Sequence, residues 1–190
     1  MYILGIDPGA DGGLAVMTLD GRVAETRRMP GSGPEIRDYL CGWDSEDMAV
    51  FVERVGYLGS GERSGPVGVA TIARVGGLLE GICLGLRLSY TEIAPATWQK
   101  ILFGVTRPPK VKKTGDMKID NKASANRSRE WKQNIIDAAA RKWPTADLKG
   151  SQSPIAKSHS GVCDSLWIAE YGRLCLVGRT VVQPAEVGNG

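Results

Sequence analysis

Four side chains spread from one end of the chain almost to the other could hold a metal ion or engage a phosphate: Asp7, Glu53, Asp164 and His159, the only histidine. Asp7 ends the apolar run Tyr2-Ile-Leu-Gly-Ile-Asp7, after which Pro8, Gly9, Gly12 and Gly13 turn the chain. Asp-Pro-Gly is favourable turn chemistry in its own right, so Asp7 alone proves little. Glu53 closes a second apolar run, Met48-Ala-Val-Phe-Val-Glu53, of the kind that forms a buried parallel strand. If the two strands are neighbours, their terminal carboxylates lie about one inter-strand spacing apart, ~5 Å. At that distance they repel unless a cation stands between them. Asp164 opens the last predicted helix, and His159 precedes it by five residues in a loop of Ser and Gly. A lone histidine is more often structural than catalytic, but this loop beside a helix-starting Asp is a better place for chemistry than most.

The elements that must position these groups follow from periodicity. Leu14 to Leu19 reads as a strand, Asp20-Gly21 as a hairpin turn and Arg22 to Met29 as a third strand. A short helix is expected from Glu35 to Trp43, and a long one from Val67 to Leu88 with an apolar stripe of Ile72, Val75, Leu79, Ile82 and Leu86. The same helix carries Gly77, Gly81 and Gly85, each costing about 1 kcal/mol relative to alanine. Such a face suits close approach of another backbone. A strand from Tyr90 to Ala94 and a helix opened by Pro95 come next, then a basic linker after Pro108-Pro109, a helix from Glu130 to Lys142, and the last helix from about Asp164 to Cys175. Three antiparallel strands followed by two more with helices between them predict an α/β chain with a ribonuclease H-like mixed five-stranded sheet flanked by helices. Strict alternation from the start, as in a dinucleotide-binding sheet, is absent.

Composition agrees with one globular unit: 190 residues, 42% hydrophobic and 24% charged. The expected organisation is one domain over residues 1–176, with a basic insertion at about 105–130 and a loose tail over 177–190. Ile72 to Leu88 is interrupted by Arg74, Glu80 and Arg87, which argues against a membrane span. A strand beginning almost at the first residue leaves no room for a signal or transit peptide, so a soluble intracellular protein, or a mature form already processed, is expected. Cys41, Cys83, Cys163 and Cys175 are not spaced for zinc and are expected to be buried, reduced thiols. The net charge is only +3, yet Arg107 to Lys132 holds nine basic residues against three acidic ones. A local basic block in a near-neutral chain suggests contact with a polyanion, although a solvated loop would look similar.

Gly-Ile-Asp-Pro-Gly at the first strand, Val-Glu-Arg-Val after the second apolar strand, and Lys157-x-His159-x-Gly161-x-x-Asp164-Ser before Ile-Ala-Glu-Tyr-Gly together resemble the RuvC-like Holliday junction resolvases. The likeness runs from about residue 2 to 173 and includes Ile93-Ala-Pro-Ala-Thr-Trp-Gln-Lys100. It is strongest to the bacteriophage and chloroplast members, whose loop histidine stands five residues before the helical Asp. Bacterial members place the fourth group three residues before that Asp, where this chain has Gly161. The resemblance implies that Asp7, Glu53, Asp164 and His159 are catalytic and bind two Mg²⁺ ions, with Mn²⁺ as a substitute. It also implies a homodimer acting on a four-way DNA junction, with no membrane and no small-molecule cofactor. Lys110, Lys112, Lys113, Lys118, Lys122, Arg127, Arg129, Lys132 and Lys157 would contact phosphates, and Tyr57, Ser60 and Arg63 would supply any sequence preference. The glycine face of the long helix would form the dimer seam or the surface nearest the crossover.

Three other readings compete. A flap or RNA-strand nuclease on the same fold differs only in substrate. An actin-like phosphotransferase also places Asp-x-Gly after a strand, but needs a second glycine-rich phosphate loop and a longer chain. A junction-binding protein that does not cut would have no use for all four groups.

Overall fold

Alternation along the first strand sets the architecture. In β1 (Tyr2–Asp7) Leu4 and Ile6 enter one apolar cluster and Ile3 the other, so the strand is covered on both faces. The same split separates Leu14 and Val16 from Ala15 and Met17 in β2 (Gly13–Thr18), and Val50 and Val52 from Ala49 and Phe51 in β4 (Met48–Glu53). The computed structural model describes residues 1–9, 11–43, 47–54, 66–104, 114–150 and 159–178, with residues 66–73 and 118 described through their backbone alone.

Among the described residues the sheet runs in the order β3-β2-β1-β4-β5, where β3 is Val23–Arg28 and β5 is Ser89–Ile93. β1 and β2 pair antiparallel, as do β2 and β3, whereas β4 is parallel to β1 and β5 to β4. This is the expected mixed sheet. The turn between β2 and β3 contains Gly21 at φ +88°, a conformation that favours glycine. α1 (Gly33–Cys41) and α2 (Pro66–Gly85) cover one face through Ile36, Leu40, Leu79 and Cys83. α3 (Pro95–Phe103), α4 (Met117–Lys142) and α5 (Ser160–Leu176) cover the other through Trp98, Ile135, Ala139, Leu166 and Ile168.

α5 lies almost on the sheet backbone. A Cβ on Gly5 would overlap the Ser165 carbonyl oxygen and the Ala169 nitrogen, and one on Gly13 would stand 2.7 Å from Val162 Cα. Glycine is therefore needed in the strands for the helix to seat.

Three expectations need correction. α4 begins at Met117, not Glu130, so the second half of the basic block is helix and not linker. Asp116 Oδ1 accepts from Ile119 N at 3.3 Å, and Asp120 Oδ1 accepts from Thr114 N at 2.9 Å. Periodicity missed this stretch because it reports a buried stripe, and Lys118 to Arg129 has none; its Ala, Lys and Arg residues favour helix without one. α5 begins at Ser160 with His159 as its N-cap residue, which puts Asp164 in the second turn instead of at the start. Its first turn is set by tertiary contact, Gly161 lying against Asp11 and Gly12. Cys41 is exposed, while Cys83 and Cys163 are buried, Cys175 is partly covered, and all four are free thiols. No described helix is long and apolar enough to cross a membrane.

Glu170, only 2% exposed, ties α4 to α5. It accepts from Arg173 Nε and Nη2 at 2.6 and 2.9 Å and pairs with Lys142 Nζ at 3.1 Å. Burial pushes its carboxyl up, but the Arg173 and Lys142 contacts outweigh burial and hold it below its ordinary 4.5. Its contribution is thus present above pH 4.5 and is lost as pH falls through the lowered value. Glu170→Gln is expected to cost about 2 kcal/mol at pH 7, the scale of charged hydrogen bonds. Thermal melts should show that gap closing in acid; a constant gap would mean that charge is not the cause.

Candidate active site

Ile6 in β1 is paired with Val52 in β4. The next residues in that parallel register are Asp7 and Glu53, so two carboxylates end adjacent strands ~4.8 Å apart. By alternation both belong to the face covered by α5, the face of Gly5 and Phe51. Asp164 projects from α5 one residue before Ser165, whose carbonyl abuts Gly5. Burial, then Asp7, then Glu53 drive the Asp164 carboxyl well above 3.8, so the charges of both strand-end acids reach Asp164. Asp7 is pushed up to about 6, mainly by burial and against the pull of a 3.4 Å hydrogen bond donated by Gly9 N.

His159 is anchored through its backbone, donating its N–H to Leu148 O at 2.7 Å. Its Nδ1 is buried with no hydrogen-bond partner among the described residues. Burial and then Arg28 lower its pKa, so the imidazole is neutral at neutral pH and able to accept a proton or a cation. The structure also accounts for Gly161: a Cβ there would overlap the Asp11 carbonyl oxygen and lie 2.6 Å from Gly12 Cα. No side chain fits three residues before Asp164, so a histidine in this segment must stand elsewhere.

Among the described basic residues, Lys132 acts on Asp7, His159 and Asp164 together, whereas Arg28 acts on His159. Lys118, Lys122, Arg127 and Arg129 lie on the same helix toward its N-terminus. Lys122 and Arg129 are exposed and Arg127 is half-buried. Tyr57, Ser60, Arg63, Lys110, Lys112, Lys113 and Lys157 fall outside the described residues. Sequence reasoning missed Asp11, Arg28 and Trp98. Asp11 and Arg28 act on His159, and Trp98 Nε1 donates to Glu53 Oε2 at 2.8 Å. Trp98 sits in the Ile93–Lys100 segment that carried part of the resemblance, which was the available signal; Asp11 and Arg28 gave none.

Hard carboxylate oxygens, mutual repulsion that a cation would relieve, and an unpartnered imidazole nitrogen suit a divalent ion in chemistry. In geometry the site is open: among the described residues no three His, Cys, Asp or Glu side chains are grouped closely enough to hold one ion. A donor from outside the described residues would have to complete the coordination.

The strand order and the flanking helices are those of a ribonuclease H-like α/β fold. Within that class the fold is RuvC-like, as two solved structures show. The Thermus thermophilus RuvC in complex with Holliday junction substrate is similar at TM-score 0.57 and 15% identity, over 94% of this chain and 97% of that one. A second Thermus thermophilus RuvC structure is similar at TM-score 0.54 and 14% identity, with the same coverage. No family model and no curated protein matches the sequence. At such identity the likeness concerns fold.

Proposed function

We propose that the chain is a structure-selective endonuclease that resolves four-way DNA junctions by paired, divalent-metal-dependent phosphodiester hydrolysis. The observation that carries this reading is that Asp7 and Glu53 end adjacent strands of a RuvC-like sheet and that their charges act on Asp164 of the helix packed over it. The similarity to a RuvC bound to a junction substrate supports it.

Asp7, Glu53 and Asp164 would hold two Mg²⁺ ions, with Mn²⁺ as a substitute and a DNA phosphate completing coordination. Such ions lower the pKa of water and neutralise charge on the phosphoryl oxygens. His159, neutral and with Nδ1 unpartnered, would orient the attacking water or take its proton, or join the metal ligands. Lys132 would place a positive charge beside the phosphate. From Lys118 to Lys132 the helix rises about 21 Å at ~1.5 Å per residue, long enough to follow several phosphates, with Lys122, Arg127 and Arg129 along it. Such contacts give salt-dependent affinity and little sequence information. Lys110, Lys112, Lys113 and Lys157 would add to them, and Tyr57, Ser60 and Arg63 would set any preference at the cut.

Paired cuts need two sites related by two-fold symmetry, hence a homodimer. α2 offers a seam: Cβ atoms added at Gly77, Gly81 or Gly85 would meet nothing within 4 Å, and Leu84 is 66% exposed beside them.

Incubation with a four-way junction, a duplex, a flap and an RNA–DNA hybrid, with Mg²⁺ or with EDTA, tests the reading. Paired incisions in the junction that EDTA abolishes are expected. Tenfold faster cutting of the flap or hybrid would move the assignment to the rival nuclease class, and binding without cutting in Mg²⁺ or Mn²⁺ would leave a junction-binding protein. Light scattering should give a dimer.

A further inference from the structure

The Trp98 indole is wholly buried, yet its one polar atom is committed to Glu53. Trp98 lies in the first turns of α3, directly after β5, and Ile93 at the end of β5 is the register partner of Glu53. Strand pairing therefore fixes where α3 starts relative to the carboxylate. The Phe103 ring meets Trp98 edge-on at 6.3 Å and Trp167 of α5 at 4.7 Å, so the indole is held by its own helix and by a chain of rings reaching the Asp164-bearing helix. An indole N–H can only donate, and it does so in the ring plane, so at 2.8 Å it favours one setting of the carboxylate. Bulk alone does not explain this tryptophan: an apolar ring of similar size would fill the core without a polar group that has to be satisfied.

We propose that Trp98 is a positioning residue. Its N–H holds the Glu53 carboxylate in one rotamer, so that it is presented to a divalent cation without reorganisation. This rests on the metal-dependent reading above and adds to it a residue outside the four-group set. Loss of an outer partner of a metal-binding side chain typically weakens metal affinity or activity by about 10- to 100-fold.

The test is Mn²⁺ binding to the DNA-free protein, measured by calorimetry and by the free-ion electron-spin signal, for wild type and Trp98→Phe, with thermal melts to confirm folding. A 10- to 100-fold weaker affinity is expected. In junction cleavage the Mg²⁺ needed for half-maximal rate should rise by the same factor, while the rate at saturating metal stays within a few-fold. Incorporating β-(3-benzothienyl)alanine at position 98, which keeps the ring shape and replaces N–H with sulfur, gives the same answer if Phe unsettles the core. In a Glu53→Gln background the Trp98 change should have no further effect on metal affinity. Unchanged Mn²⁺ affinity in the folded variants, or an equal loss with and without Glu53, would overturn the proposal. Wild-type protein that binds Mn²⁺ but leaves junctions intact would refute the junction reading and leave the Trp98 result standing; wild-type protein that binds no Mn²⁺ would overturn both.

Discussion

Asp7→Asn is expected to abolish cleavage and, in metal-free buffer at pH 7.5, to raise the melting temperature. The first effect follows from removing a carboxylate from the pair at the ends of β1 and β4. If that carboxylate holds the metal that neutralises the phosphoryl oxygens, its loss removes several kcal/mol of stabilisation. About 4 kcal/mol corresponds to roughly a thousandfold in rate. The second effect follows from burial. Asp7 keeps its proton up to about pH 6 in the fold, against 3.8 ordinarily, so the native state binds more protons between those values. That stabilisation is complete below pH 3.8 and is lost as pH rises through about 6. The cost of the ionised form is about 3 kcal/mol at ~1.4 kcal/mol per pKa unit. In a chain of this length that is roughly 6–12 °C. The asparagine variant escapes it and also relieves Asp164, whose carboxyl Asp7 helps to push up. Calorimetric scans at pH 3.5 and 7.5 should show the two proteins converging in acid, and added Mn²⁺ should stabilise wild type more than the variant. A variant that cuts normally, or melts lower than wild type at pH 7.5, refutes the role given to Asp7.

Gly5→Ala is expected to damage both stability and activity from inside the sheet. One methyl group would overlap the Ser165 carbonyl and the Ala169 nitrogen, and both are helix backbone that no rotamer change can move. Such overpacking costs about 3 kcal/mol or more. Relief requires α5 to lift, which carries Asp164 away from Asp7 and Glu53. A displacement of ~1 Å at reacting groups can lower a rate a hundredfold. Cleavage should therefore fall even at temperatures where the variant stays folded. Gly31→Ala is the control: among the described residues its Cβ would meet only Glu35 Oε2, at 4.0 Å. Equal losses at the two positions would mean that close packing of α5 on β1 is not what sets the site.

Much of this molecule was legible in its residues. Apolar runs ending in Asp7 and Glu53 announced two buried strands with acids at their tips, and the hairpin chemistry of Asp20-Gly21 gave the antiparallel start of the sheet. These features are local, set by alternation and by turn-forming residues, and local rules read them correctly. The N-terminal half of α4 was not legible, because a helix that buries no stripe leaves no periodic mark. The start of α5 at Ser160 was hidden too, since Ser-Gly reads as loop until Gly12 and Gly13 are found against Gly161 and Val162.

The sequence by itself determined which acids and which histidine are available, which strand ends carry two of them, and the order of elements that makes a mixed sheet. Only the tertiary structure decided that Asp164 is brought within the field of Asp7 and Glu53, that Lys132 acts on both Asp7 and Asp164, and that Trp98 holds Glu53. Strand ends are set by neighbours in sequence, but the seating of α5, α4 and α3 on the sheet depends on glycine notches and ring contacts between segments far apart in the chain, which no local pattern records.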